Sequence, residues 1–257
     1  MDSVALKQRI RSGRPVFGTW SHLPLVQVVE IIGAAGLDFI VFDMEHGPHS
    51  YGDMPALCCA AESRGLVPIT RVPGLESSSV LRLLDSGTKG IMVPHVHGLA
   101  DARRSLEAMR YGDSPGSRGI ATLTRASLFG TVDEATHLAT QNDKIVSILM
   151  IEDKAALDDL ERICELPGLD VIFVGIYDLS QSLGLKGNLD DPAFQRAFEA
   201  TVARIAKAGV AVGCYTPAPG GVKRLLDLGI RVITINVDGG ILRRAYGEVV
   251  DRIASYR

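Results

Sequence analysis

Asp43, Glu45 and His46 crowd together in the run Phe39-Ile-Val-Phe-Asp43-Met-Glu45-His46-Gly47-Pro-His-Ser50. Four bulky apolar residues precede them and a Gly-Pro turn follows. Carboxylates beside an imidazole can orient it and raise its basicity, so Asp43 with His46 suits a general base. The three groups together also read as a metal site. A second pair of carboxylates, Glu152 and Asp178, follows two later apolar runs. Completed by water and substrate oxygens, such a pair suits a hard divalent cation such as Mg²⁺ or Mn²⁺. Asp178-Leu-Ser180 reads equally well as a helix cap. Arg71 lies inside Val67-Pro-Ile-Thr-Arg-Val-Pro, where a cation is costly unless it meets an anion. Its planar fork fits a carboxylate or an enolate oxygen, with a structural ion pair as the alternative.

Other signals are weaker. His95 and His97, at i and i+2, admit a metal but share a strand face for packing reasons as readily. Ser180-Gln-Ser-Leu-Gly184 admits a phosphate and is equally a helix turn and end. No lysine stands at the end of an apolar run, so a Schiff-base mechanism lacks an obvious nucleophile and metal-dependent chemistry is favoured.

The elements that must position these groups form a repeat of helix, glycine and apolar strand. Gly36 precedes Phe39–Phe42, Gly65 precedes Val67–Val72, and Gly87 precedes Gly90–Val96. Gly168 precedes Val171–Val174, Gly209 precedes Val210–Tyr215, and Gly229 precedes Val232–Val237. Val16–Trp20 and Lys144–Ile151 complete eight strands, and a helix opens at Pro24 with Leu25, Val28, Val29 and Ile32 on one face. Continuous apolar runs suit parallel strands covered on both faces. Eight such units, with no GxGxxG after any strand, predict a TIM (β/α)8 barrel spanning residues 1–257 as one domain. The irregular interval 111–143 is expected to line or cover the mouth. Barrel chemistry is read at the carboxyl ends of the strands, where Asp43, Arg71, Glu152 and Asp178 all fall.

A net charge of -3 argues against nucleic acid or an anionic membrane as partner. No run approaches the length of a membrane span and no signal peptide is visible at the start. Cys58, Cys59, Cys164 and Cys214 lack zinc spacing and read as small buried thiols. A cytoplasmic location is expected.

Six segments occur in the order of a known family: Asp43-Met-Glu45-His46-Gly-Pro, Arg71-Val-Pro-Gly, Leu84-Asp85-Ser-Gly-Thr88 with Met92-Val-Pro94, Ser117-Arg118-Gly119 with Arg125-Ala, Ile151-Glu152, and Phe173-Val-Gly175 with Asp178-Leu-Ser180. From about Phe17 to Asp238 the chain resembles the HpcH/HpaI class II pyruvate aldolases. The resemblance implies a lyase that reversibly cleaves a 4-hydroxy-2-oxo acid into pyruvate, or a relative such as hydroxypyruvate, and an aldehyde through a metal-bound enolate. It implies Mg²⁺, Mn²⁺ or Co²⁺ on Glu152 and Asp178, Arg71 on the enolate, and His46 with Asp43 as the base dyad. Asp85 matches an acid delivered across a subunit interface. Gly175 matches a backbone contact to the substrate carboxylate, with Ile176 and Tyr177 beside it. The implied assembly is a homo-hexamer, a trimer of dimers, with the C-terminal helix exchanged between subunits.

The chain departs from that pattern at Met150, where the family has glutamine, at Ile176-Tyr177, and at Gly112-Asp113 after Tyr111. A thioether cannot reproduce an amide's hydrogen bonds. Two other readings therefore stand beside the aldolase: a related metal-enolate lyase or decarboxylase acting on another 2-oxo acid, and a non-catalytic barrel that binds one.

Overall fold

Alternate residues of eight parallel strands point into a closed barrel, in which each strand pairs with its sequence neighbours and the last closes on the first. The computed structural model describes residues 1–112 and 116–256. The strands are β1 (Val16–Ser21), β2 (Phe39–Asp43), β3 (Val67–Arg71), β4 (Gly90–Val93), β5 (Val146–Ile151), β6 (Val171–Val174), β7 (Ala211–Thr216) and β8 (Val232–Val237). The fold is the expected TIM-type α/β barrel.

The period of two divides the apolar residues into two cores. Phe39, Val41, Val67, Ile69, Ile148, Met150, Val171 and Phe173 fill the barrel interior. Ile40, Phe42, Ile91, Leu149, Ile151 and Ile172 face outwards and pack under the surrounding helices. Burying such a side chain contributes about 1.5–3 kcal/mol, so both faces resist a one-residue slip in register. The glycines of the repeat all take left-handed backbone, from Gly65 at φ 73° to Gly87 at φ 106°. That conformation ends each helix and turns the chain into the next strand.

The structure moves several boundaries. The strand expected over Gly90–Val96 ends at Val93, since Pro94 has no N–H to donate and His95 is left-handed at φ 54°. Lys144 closes the helix Glu134–Lys144 rather than opening β5. The helix expected from Pro24 begins at Val26, which leaves Leu25 as its exposed cap residue and off the buried face. The polar N-terminal segment is itself a helix, Ser3–Arg11, capped by the Asp2 carboxylate. It plugs the amino-terminal end of the barrel with Leu6 and Ile10. Its buried Lys7 is satisfied by Asp170 at 3.0 Å and the Ile145 carbonyl at 2.7 Å.

Of the interval 111–143, residues 111–112 and 116–143 are described. Its segment Arg125–Gly130 packs against the helix Ser77–Ser86, and none of its described residues lines the mouth cavity. Asp113 lies outside the described residues. Among the described residues no helix is long and apolar enough to cross a membrane. Three cysteines are buried, whereas Cys59 is exposed, contrary to its reading as a buried thiol.

Candidate active site

The interior parity of the strands continues past their carboxyl ends and determines what faces the mouth. Counting in twos, β2 leads from Val41 to Asp43, β3 from Ile69 to Arg71, β5 from Met150 to Glu152, and β6 from Phe173 to Gly175. These residues, with Trp20, His22, His46, Ile176, Tyr177, Asp178 and Tyr215, line a cavity of about 400 Å³. Among the described residues no lysine lines it.

At its centre Asp43 is wholly buried and accepts hydrogen bonds on both oxygens. Arg71 Nε donates to Oδ1 at 2.9 Å and Nη2 to Oδ2 at 2.7 Å. The backbone N–H groups of Glu45 and His46 also reach Oδ1, at 3.0 and 3.2 Å. Burial alone would raise this carboxyl; the bonds and charge of Arg71, followed by the His46 N–H and His22, outweigh it and hold the pKa at about 2. The turn that brings the His46 N–H back requires Gly47, whose Cβ would stand 2.3 Å from the Asp43 carbonyl oxygen.

Arg71 is thereby a fixed charge. Its guanidinium carbon lies 4.5 Å above the Trp20 ring centroid, and Trp20 Nε1 donates to Thr234 Oγ1 at 2.8 Å. Nη1 lies 2.9 Å from Glu45 Oε2 without hydrogen-bond alignment, so that contact is an ion pair. The other Glu45 oxygen is 2.7 Å from His95 Nε2. Glu45, unassigned by the sequence, ties Arg71 to the loop after β4.

The expected pairing of Asp43 with the His46 imidazole takes another form. Only the His46 backbone meets Asp43; its half-exposed ring is 3.8 Å from Glu45 Oε1. The imidazole on Asp43 belongs to His22, whose Nε2 is 2.8 Å from Oδ2. His22 carries no signal of its own in the sequence, because it stands in the short stretch His22-Leu23-Pro24 just beyond β1. Counting two beyond the inward-facing Trp20 would have found it.

Across the mouth, Glu152 is 3 % exposed. Oε1 accepts the His95 N–H at 2.7 Å, whereas buried Oε2 has no hydrogen-bond partner among the described residues. Burial pushes this carboxyl above its usual range, with Asp178 and Glu45 adding to the effect against the His95 N–H and imidazole. Gly175 is needed here: a Cβ would lie 2.3 Å from Oε2, so the carboxylate occupies the place of a side chain. Ile151 and Val174 are register partners, which sets Glu152 and Gly175 side by side. Asp178, in the first turn of the helix Ile176–Ser182, makes no capping bond and lines the cavity instead. A desolvated, partnerless carboxylate oxygen beside a second carboxylate is a donor set that fits a hard cation.

Several expected residues lie elsewhere. Asp85 does not line the cavity of its own chain; it accepts from Arg118 Nη2 at 2.8 Å, and that guanidinium stacks on Tyr111. The Gly175 N–H is taken by the Ile151 carbonyl at 3.2 Å. His95 and His97 sit in the loop after β4, not on a strand face, with Val96 buried between them. Among the described residues no three His, Cys, Asp or Glu side chains cluster as a ready-made metal site. Ser180-Gln-Ser-Leu-Gly184 is the end of a short helix closed by left-handed Gly184.

Residues 17–245 match the HpcH/HpaI aldolase/citrate lyase family. The chain belongs to that family. A hydroxypyruvate/pyruvate aldolase of Paraburkholderia phytofirmans is 32% identical over 255 residues, 97% of each chain. A 5-keto-4-deoxy-D-glucarate aldolase of Citrobacter koseri is 31% identical over 245 residues, covering 95% of this chain and 94% of that one. The crystal structure of an HpcH/HpaI aldolase/citrate lyase family protein from Burkholderia cenocepacia superposes with a TM-score of 0.92 at 32% identity, covering 97% of this chain and 99% of that one. This HpcH/HpaI family member is an aldolase-type lyase, and its cavity at the carboxyl ends of the strands is the candidate active site.

Proposed function

We propose that this chain cleaves a 4-hydroxy-2-oxo acid into pyruvate, or a close relative such as hydroxypyruvate, and an aldehyde, with a divalent cation. The observation that carries the reading is the partnerless Glu152 Oε2, buried beside Asp178 and across the mouth from the immobilised Arg71. The aldolase names of the two relatives support the same class of substrate. Glu152 and Asp178 would hold the cation, which when bound supplies Lewis-acid polarisation of the 2-oxo acid.

The other steps belong to this chain's own side chains. Arg71 keeps a positive charge near the oxygen that becomes negative when the enolate forms; because Asp43 and Glu45 hold it in place, no reorganisation is needed at that moment. The substrate carboxylate would lie against Gly175, Ile176 and Tyr177. An imidazole at the mouth takes the proton of the C4 hydroxyl, and the resemblance names His46 with Asp43 for that role.

The test is pyruvate release from a 4-hydroxy-2-oxo acid, abolished by EDTA and restored by Mg²⁺, Mn²⁺ or Co²⁺. Release that persists after chelation, or a borohydride-trapped adduct, overturns the cation assignment.

We also propose a homo-oligomer. The C-terminal helix Asp238–Ile253 leaves Leu242, Tyr246, Val249 and Val250 exposed, an apolar stripe of the kind a second copy covers. A hexamer with exchanged C-terminal helices is the form the resemblance suggests, and in it Asp85 would serve a neighbouring subunit.

A further inference from the structure

We infer that His95 is a positioning residue that fastens the two charged sides of the mouth to one another. Its backbone N–H aims Glu152, and its ring holds Glu45 against Arg71. The inference rests on the aldolase reading and deepens it by naming what keeps the cation carboxylate and the enolate-stabilising arginine in place.

The backbone is the first observation. His95 is left-handed at φ 54°, a conformation that a residue with a Cβ keeps only where its surroundings impose it. The conformation has a use, for it turns the His95 N–H onto Glu152 Oε1 at 2.7 Å. That bond satisfies one oxygen and leaves Oε2 as the free donor. The turn is anchored on its far side. Val96 is buried under the surrounding helices, and the Leu99 N–H donates to Asp159 Oδ2 at 3.0 Å.

The ring is the second. His95 Nε2 lies 2.7 Å from Glu45 Oε1. Glu45 pairs with Arg71, so its oxygen accepts and the ring hydrogen is on Nε2. Among the described residues this is the only hydrogen bond that the Glu45 carboxylate makes, because Oε2 meets Arg71 Nη1 as an ion pair alone. The direction of Glu45 therefore depends on the imidazole. Arg71 depends in turn on Glu45, since Asp43 takes only Nε and Nη2.

The third is reach. β2, β3, β4 and β5 are consecutive in the barrel, and Glu45, Arg71, His95 and Glu152 stand at or just past their four carboxyl ends. Among the described residues His95 itself does not line the cavity, so it acts through its two carboxylate partners. An outer group that orients a cation ligand commonly sets how well the cation is held. Here the same residue also fixes a charge on the opposite side.

Three substitutions separate the two bonds. His95→Asn tolerates left-handed backbone and keeps the N–H, but its amide is too short for Glu45. His95→Gln carries an amide nitrogen where Nε2 stands. His95→Val keeps an N–H, but its branched Cβ opposes the conformation that aims it. Mn²⁺ affinity is read without turnover from the EPR signal of the free ion. Pyruvate release from a 4-hydroxy-2-oxo acid gives kcat and KM.

The Asn variant should bind Mn²⁺ within about threefold of wild type and lose about tenfold or more in kcat with little change in KM. The Gln variant should recover most of that loss. The Val variant should weaken Mn²⁺ binding by about 10–100-fold. In a Glu45→Ala background, His95→Asn should cost no more than about a further twofold, because the bond it removes is already gone.

Wild-type kcat in the Asn variant, or its full loss repeated in the Glu45→Ala background, overturns the role of the ring. Wild-type Mn²⁺ affinity in the Val variant overturns the role of the N–H. A wild-type protein that binds Mn²⁺ yet releases no pyruvate overturns the aldolase reading instead, and the Mn²⁺ measurements still decide the N–H. No Mn²⁺ binding by wild type overturns both.

Discussion

Asp43 and Arg71 are register partners on adjacent strands, and they meet through parallel hydrogen bonds of 2.9 and 2.7 Å at the carboxyl end of the barrel. The ion pair is therefore set by sheet geometry rather than by flexible side chains. Register partners one strand apart stand about 5 Å from one another, the reach of a fork on a carboxylate. The grip leaves Arg71 unable to turn away from the cavity.

Substitution of Arg71 should separate its charge from its shape. Arg71→Ala leaves Asp43 and Glu45 buried without their cation, at a cost of about 3–5 kcal/mol in stability, and should lower kcat by about 10²–10³-fold. Arg71→Lys keeps a charge but not the fork, so chemical denaturation should place it between the two. A Lys variant with unchanged kcat would show that charge alone suffices.

Acid should reveal the Asp43 pair. Its folded pKa of about 2 lies below the ordinary value of 3.8, so the stabilisation is complete above the unfolded pKa and is lost as pH falls through about 2. The contribution is about 2 kcal/mol. Asp43→Asn should be clearly less stable than wild type at pH about 6, and the gap should narrow as denaturation is repeated from about pH 4 downwards. A gap independent of pH would contradict this origin.

Glu152 should behave in the opposite sense, because burial disfavours its charged form. Glu152→Gln removes a desolvated charge and is expected to melt no lower than wild type without divalent cation. The rise in Tm that Mn²⁺ gives the wild-type protein should be absent. Gly175→Ala should lose the same response with Glu152 still present, since the new Cβ occupies the space of Oε2. A full Mn²⁺-dependent rise in either variant would place the cation elsewhere.

The apolar stripe on the C-terminal helix predicts an assembly that a charge would break. Val250→Glu or Tyr246→Glu should shift the sedimentation coefficient to that of a smaller species. The barrel should keep its far-UV spectrum, because neither side chain is buried in its own chain. Monomeric wild-type protein at micromolar concentration would remove the oligomer proposal.

The sequence alone determined the barrel and which strand ends carry the chemistry. Apolar runs behind helix-ending glycines are local signals, and a period of two dictates which side chains continue inwards, so Asp43, Arg71 and Glu152 were legible from their own segments. The plug formed by Ser3–Arg11 was less so, because only Leu6 and Ile10 of its nine residues are large apolar side chains that enter the barrel core, and two positions carry little periodicity. Only the tertiary structure decided the partners. His22 and Asp43 are 21 residues apart, and Glu45 and His95 are 50 apart, on separate loops. No sequence spacing encodes those distances; the pairing of β1 with β2, Ser21 opposite Phe42, sets His22 beside Asp43. That register gave Asp43 the imidazole of His22, while His46, three residues on in the sequence, touches it through the backbone alone.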